Sequence, residues 1–115
     1  MNTIISFENI IAWQKAQELS VRLYRQFASI KDYGFKDQLF RAVVSIGNNI
    51  AEGYERKGNN EFKYFLFIAK GSSAEVRSML YLAQELGYGS PQVCVEGRAL
   101  STEISKLLSG LIKTL

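Results

Sequence analysis

Phe62, Leu66, Ala69, Ser73, Val76, Leu80 and Ala83 recur in unbroken steps of four and three. Each residue of an α-helix advances about 100° around the axis, so this spacing collects one side of a long helix. The signature appears three more times. Ala12, Ala16, Leu19, Leu23, Phe27 and Ile30 form a first stripe. Phe35, Leu39, Val43, Ile46 and Ile50 form a second, continuing to Gly53 and Tyr54. Val93, Gly97, Leu100, Ile104, Leu107 and Leu111 form a fourth. No stretch sustains strand alternation, and the one proline, Pro91, leaves long helices uninterrupted.

Turn residues gather between the stripes, at Lys31-Asp32-Tyr33-Gly34, Lys57-Gly58-Asn59-Asn60 and Leu86-Gly87-Tyr88-Gly89-Ser90-Pro91. Gly58 and Gly87 suit the left-handed position that ends a helix. Asn60 suits an N-cap, and Ser90 followed by Pro91 is a stronger start signal. The reading is all-α, an antiparallel up-down-up-down four-helix bundle. Its helices are predicted over roughly residues 7–30, 35–57, 60–87 and 91–114, in one domain over residues 1–115.

Composition narrows the function. The chain of 115 residues has no histidine and one cysteine. That removes imidazole acid–base chemistry, His-dependent nucleophile sets and thiolate zinc sites, and predicts no enzyme, metal or cofactor. The net charge of +3 permits an anionic partner without requiring one. The longest purely apolar run, Tyr64 to Ala69, is too short to span a bilayer. The first residues, Met1 to Ile5, lack the pattern of a secretory leader. With the lone thiol, these features predict a cytoplasmic protein without a membrane partner.

The third helix carries more than its core stripe. Phe65, Ile68, Ser72, Glu75, Met79, Leu82 and Leu86 form a second stripe beside the first, and Phe40, Val44 and Ala51 lie away from the second helix's core line. Such an excess predicts contact with further copies of the chain; a monomer with an aromatic-rich core is the plainer alternative. Lys63, Lys70 and Arg77 sit seven residues apart and form a polar row, with Phe67 and Tyr81 near it. Such a row can track a phosphate backbone and offer rings to bases, or it can be a solvated face.

Small and polar residues interrupt two helices at similar heights, Ser45 to Gly53 in the second and Gly71 to Glu75 in the third. A buried amide and a buried carboxylate each need a partner, so Asn49, Glu75, Ser72 and Ser45 are expected to form a register-fixing polar core. A metal or ligand pocket on Glu52 and Glu75 is the alternative, weakened by the missing histidine. Cys94 is expected to be semi-buried and Trp13 to anchor packing.

The series Trp13-Gln14-Lys15-Ala16, Tyr33-Gly34-Phe35, Arg41-Ala42-Val43-Val44-Ser45-Ile46, Asn49-Ile50-Ala51-Glu52-Gly53, Gly71-Ser72 with Glu75, and Leu86-Gly87-Tyr88 resembles the bacterial 23S ribosomal RNA intervening sequence (S23) proteins. The resemblance covers essentially the whole chain. It implies an antiparallel four-helix bundle assembled as a ring-shaped homopentamer, some members being encoded within insertions in ribosomal RNA genes. More distantly, the chain is similar to the accessory protein of diversity-generating retroelements, a basic pentamer that works with a reverse transcriptase and RNA. The family commonly has Pro-Ser where this chain has Gly47-Asn48, and either pair is expected to bend the helix. Together the residues and the resemblance predict a non-enzymatic oligomeric adaptor whose partners are its own copies and RNA or a nucleic-acid-handling protein. A structural or protein-interaction bundle without a nucleic-acid role is the alternative.

Overall fold

The four stripes fold as four helices. The computed structural model describes residues 4–115; Met1 to Thr3, where the segment read for a leader begins, lie outside the described residues. A short 3-10 turn, Phe7–Asn9, precedes α1, Ile11–Phe27. Helix α2 spans Tyr33–Glu55, α3 Asn59–Leu86 and α4 Pro91–Lys113. Each helix packs on its two neighbours in chain order and α4 closes on α1, giving a four-helix bundle 43 × 24 × 19 Å across. No strand occurs among the described residues.

The core follows the stripes closely. All seven residues of the α3 stripe are buried, as are Ala12, Ala16, Leu19, Leu23 and Phe27 of α1. In α2 the buried set is Phe35, Leu39, Val43, Ile46, Ile50 and Gly53, joined by Ala42 and Gly47. Helix α4 departs from expectation by one position. Cys94, Ser101 and Leu108 join Gly97, Leu100 and Ile104 inside, while Val93, Leu107 and Leu111 are half-buried. The rotation follows from two close approaches to α3. Leu80 lies where a side chain on Gly97 would be, 2.7 Å from an added Cβ, and Ser101 meets Ser73. Cys94 is therefore buried rather than semi-buried, and burial pushes its thiol pKa up.

The ends of the helices also correct the sequence reading. The first helix begins at Ile11, not residue 7, because the Asn9 side chain accepts from the Ser6 N–H at 3.1 Å and Ile10 is extended. Between α2 and α3 the left-handed residue is Lys57, φ 63°, and Gly58 is the extended N-cap, so Asn60 lies within the helix. Gly87 at φ 74° closes α3, and the Ser90 hydroxyl caps α4 by accepting from the Val93 N–H with Pro91 in the first turn. Trp13 packs edge-on against Phe7 at 5.2 Å and covers Gly47. Asp32 joins two loops: its carboxylate accepts from the Phe35 N–H at 3.1 Å and from the Tyr88 hydroxyl at 2.8 Å.

A Cβ on Gly53 would lie 2.6 Å from the Phe65 Cβ, whereas one on Gly110 meets nothing within 4 Å. Gly53→Ala is expected to lose about 1–3 kcal/mol through overpacking, while Gly110→Ala gains up to about 1 kcal/mol of helix propensity. Chemical denaturation of the two variants checks the opposite signs. The Phe35 N–H, then the Tyr88 hydroxyl, hold the Asp32 carboxyl below its ordinary range. The unfolded chain therefore takes that proton first, and the stability from Asp32 is present at neutral pH and lost as pH falls through the lowered folded value. Denaturation midpoints followed down to about pH 2 should fall less steeply in Asp32→Asn than in the native chain.

Candidate functional site

Helix α3 is the centre of the polar chemistry, with one side facing α2 and the other α4. Toward α2, the Ser45 and Ser72 hydroxyls lie 2.9 Å apart, and the Asn49 amide donates to the Ser45 carbonyl at 2.8 Å and to its hydroxyl at 2.9 Å. Glu75 stands apart from that group. It is half-buried, and its carboxylate accepts from the Gln38 amide of α2. The expected link from Glu75 to Asn49 is thus replaced by one to Gln38, because Glu75 lies one turn farther along α3, opposite an earlier turn of α2. Glu52 pairs with Arg56 at 2.8 Å. Among the described residues no three acidic or thiol side chains cluster as metal ligands would.

Toward α4 lies a polar contact that the sequence reading missed. Ser73 donates to the Ser101 carbonyl and Ser101 donates to the Ser73 carbonyl, both at 2.8 Å, and the Ser105 hydroxyl reaches that of Ser73 at 3.0 Å. Ser73 and Ser101 are fully buried, and these reciprocal bonds hold the two backbones close. The available signal was Ser101, Ser105 and Ser109 at four-residue intervals opposite Ser73.

Lys63, Lys70 and Arg77 flank this contact on the outer side of α3, each half-buried. Phe67 and Tyr81 are 54% and 59% exposed, which leaves large ring faces beside the row. Lys70 and Arg77 border an open groove of about 510 Å³ between α3 and α4, whose other wall carries Lys106 and Lys113. Thr102, Ser105 and Ser109 line it between these cations. Farther along, the Arg98 guanidinium sits 4.1 Å above the Tyr81 ring and donates to Gln84 at 2.7 Å. Arg98, Lys106 and Lys113 were not singled out from sequence, because their alignment with the α3 row depends on how α4 is rotated.

The carboxylates of α3 and α4 are directed elsewhere. Glu61 pairs with Arg56 and Glu75 with Gln38, toward α2. Glu96 pairs with Arg22 at 3.4 Å and Glu103 with Lys15 at 3.2 Å, toward α1. Glu85 remains, exposed near the end of α3. Among the described residues no carboxylate lies within ion-pair distance of Lys63, Lys70, Arg77, Arg98, Lys106 or Lys113. A domain of modest net charge thereby presents one basic groove.

A sequence profile described as 23S rRNA-intervening sequence protein matches residues 8–110. A crystal structure of a protein with unknown function from the S23 ribosomal protein family of Bacteroides thetaiotaomicron is similar at 27% identity and a TM-score of 0.82. The match covers 90% of this chain and 96% of that one. No curated protein matches.

Removing the Ser73 hydroxyl strips a buried donor from the Ser101 carbonyl and the acceptor from Ser105. Ser73→Ala is expected to cost about 1–3 kcal/mol, and Ser72→Ala, on the half-buried α2 side, less than about 1 kcal/mol. Thermal unfolding of the two variants compares them; equal losses would contradict the assignment.

Proposed function

This chain belongs to the 23S rRNA-intervening sequence protein family, and from that premise we propose that it is a non-enzymatic adaptor that assembles with its own copies and carries RNA or a nucleic-acid-handling protein. The observation that carries the assembly is the outward side of α3. Tyr64, Leu82 and Leu86 are 63%, 49% and 49% exposed, with Phe65, Ile68 and Met79 half-buried beside them. The charges there are few, and Glu75 is already occupied by Gln38. Exposed apolar side chains gathered along one side of a helix are costly to leave in water and favour contact with another protein surface. The apolar residues of α2 do not share this position: Phe40 stacks on Tyr24 at 3.9 Å and Val44 packs on the core.

The resemblance to a pentameric family suggests how many copies meet. Five chains of net charge +3 bring about +15 together, which multiplies the attraction for a polyanion. A non-catalytic role is supported by the side-chain inventory: there is no histidine, and of the groups whose pKa values are shifted, Asp32 caps α2 and bonds Tyr88 across two loops, Cys94 is buried beside them and Arg56 sits in surface ion pairs. Among the described residues no helix is long and apolar enough to cross a membrane. The second reading, an interaction bundle without a nucleic-acid role, draws on the modest net charge and shares the same assembly.

Light scattering after gel filtration tests the assembly. The native chain is expected at a multiple of 13.0 kDa. The double variant Ile68→Glu, Leu82→Glu should return it to a single chain while its helical circular dichroism is kept. A native protein that runs as a single chain at all concentrations would contradict the proposal.

A further inference from the structure

We propose that the groove between α3 and α4 is a seat for single-stranded RNA, which runs along the bundle axis with its phosphates between two rows of cations. This rests on the reading of the protein as an RNA-carrying adaptor and assigns the site and the form of the RNA. Lys63, Lys70 and Arg77 on α3 repeat every seven residues, or about 10 Å along the axis, so the row extends about 21 Å. Lys106 and Lys113 repeat at the same interval on α4, on the other wall of the groove that Lys70 and Arg77 border. Arg98 continues the α4 side toward Tyr81.

Four features point to a single-stranded polyanion. The groove's cations have no carboxylate partners, while the acids of α3 and α4, Glu85 excepted, are paired toward α1 and α2. An ordinary solvated helix face mixes both signs, and the lining of this groove contains no carboxylate. The two cation rows lie on adjacent packed helices, where a flexible single strand can follow both, whereas duplex RNA is read by shape across a broad minor groove. Exposed Phe67 and the Arg98-covered Tyr81 stand beside the phosphate track, where they offer planar surfaces to unpaired bases. The Thr102 and Ser109 hydroxyls on the floor can donate to phosphate oxygens or exchange hydrogen bonds with a ribose hydroxyl.

The test is fluorescence anisotropy of a labelled 20-nucleotide oligouridylate with the full chain, titrated with salt. The logarithm of the binding constant should fall linearly with that of salt concentration, with a slope near −0.7 for each phosphate neutralised. Lys106→Gln with Lys113→Gln should make the slope shallower by about 1.4. Arg25→Gln with Lys31→Gln, which removes two exposed cations outside the groove, should leave it unchanged. Excess polyglutamate should compete poorly, and a 20-base-pair RNA duplex should bind more weakly than the single strand. Equal slope changes in the two double variants, tighter binding of the duplex, or full displacement by polyglutamate would overturn the proposal. Light scattering on the same variants separates this site from the assembly: native assembly with an unchanged slope in Lys106→Gln, Lys113→Gln overturns the groove alone.

Discussion

The bundle depends on how closely α3 can approach both of its neighbours. On one side the Phe65 side chain occupies the space that a Cβ at Gly53 would need. On the other, Leu80 fills the notch at Gly97 and the Ser73 and Ser101 side chains exchange hydrogen bonds with each other's backbones. Larger apolar side chains at these contacts would push the helices apart, and an unpaired hydroxyl would carry a desolvation cost. The contacts act like keys in matching slots: they set the rotation and height of α2 and α4 relative to α3.

That register has consequences at the surface. Once Ser101 faces Ser73, Lys106 and Lys113 fall on the α4 wall of the groove that Lys70 and Arg77 border, and Thr102, Ser105 and Ser109 line it. The same rotation turns Glu96 and Glu103 toward Arg22 and Lys15 of α1. Sign segregation in the surface charge is therefore a product of core packing rather than of net charge. The price of the rotation is paid at Leu107 and Leu111, which are left half-covered and border an open groove of about 470 Å³ against Ile10 and Ile11.

Helical periodicity made most of the fold legible. The α3 stripe is buried at every position because the helix has close neighbours on both sides. In α4 two apolar lines lie side by side, and Leu107 and Leu111 outweigh Ser101 by hydropathy alone. The reciprocal bonds to Ser73 and the seating of Leu80 at Gly97, both relations between distant segments, decide between them. The same limit applies to the candidate site. Lys63, Lys70 and Arg77 could be read as a row because they share one helix, whereas their α4 partners depend on tertiary rotation. Glu75 looked buried beside Asn49 by position in its stripe, yet a half-buried carboxylate one turn away finds Gln38 instead.

Helix α3 thus divides its surface between a core side, an apolar outer side and a basic border with α4, each with a different expected occupant. Hydroxyl-radical footprinting of the full chain, with and without oligouridylate, reads side-chain exposure at each of them at once. Tyr64 and Leu82 are expected to be protected relative to exposed Tyr33 before RNA is added, and Phe67 and Tyr81 to become protected only on its addition. Tyr64 reacting as readily as Tyr33, with Phe67 and Tyr81 indifferent to RNA, would contradict that division.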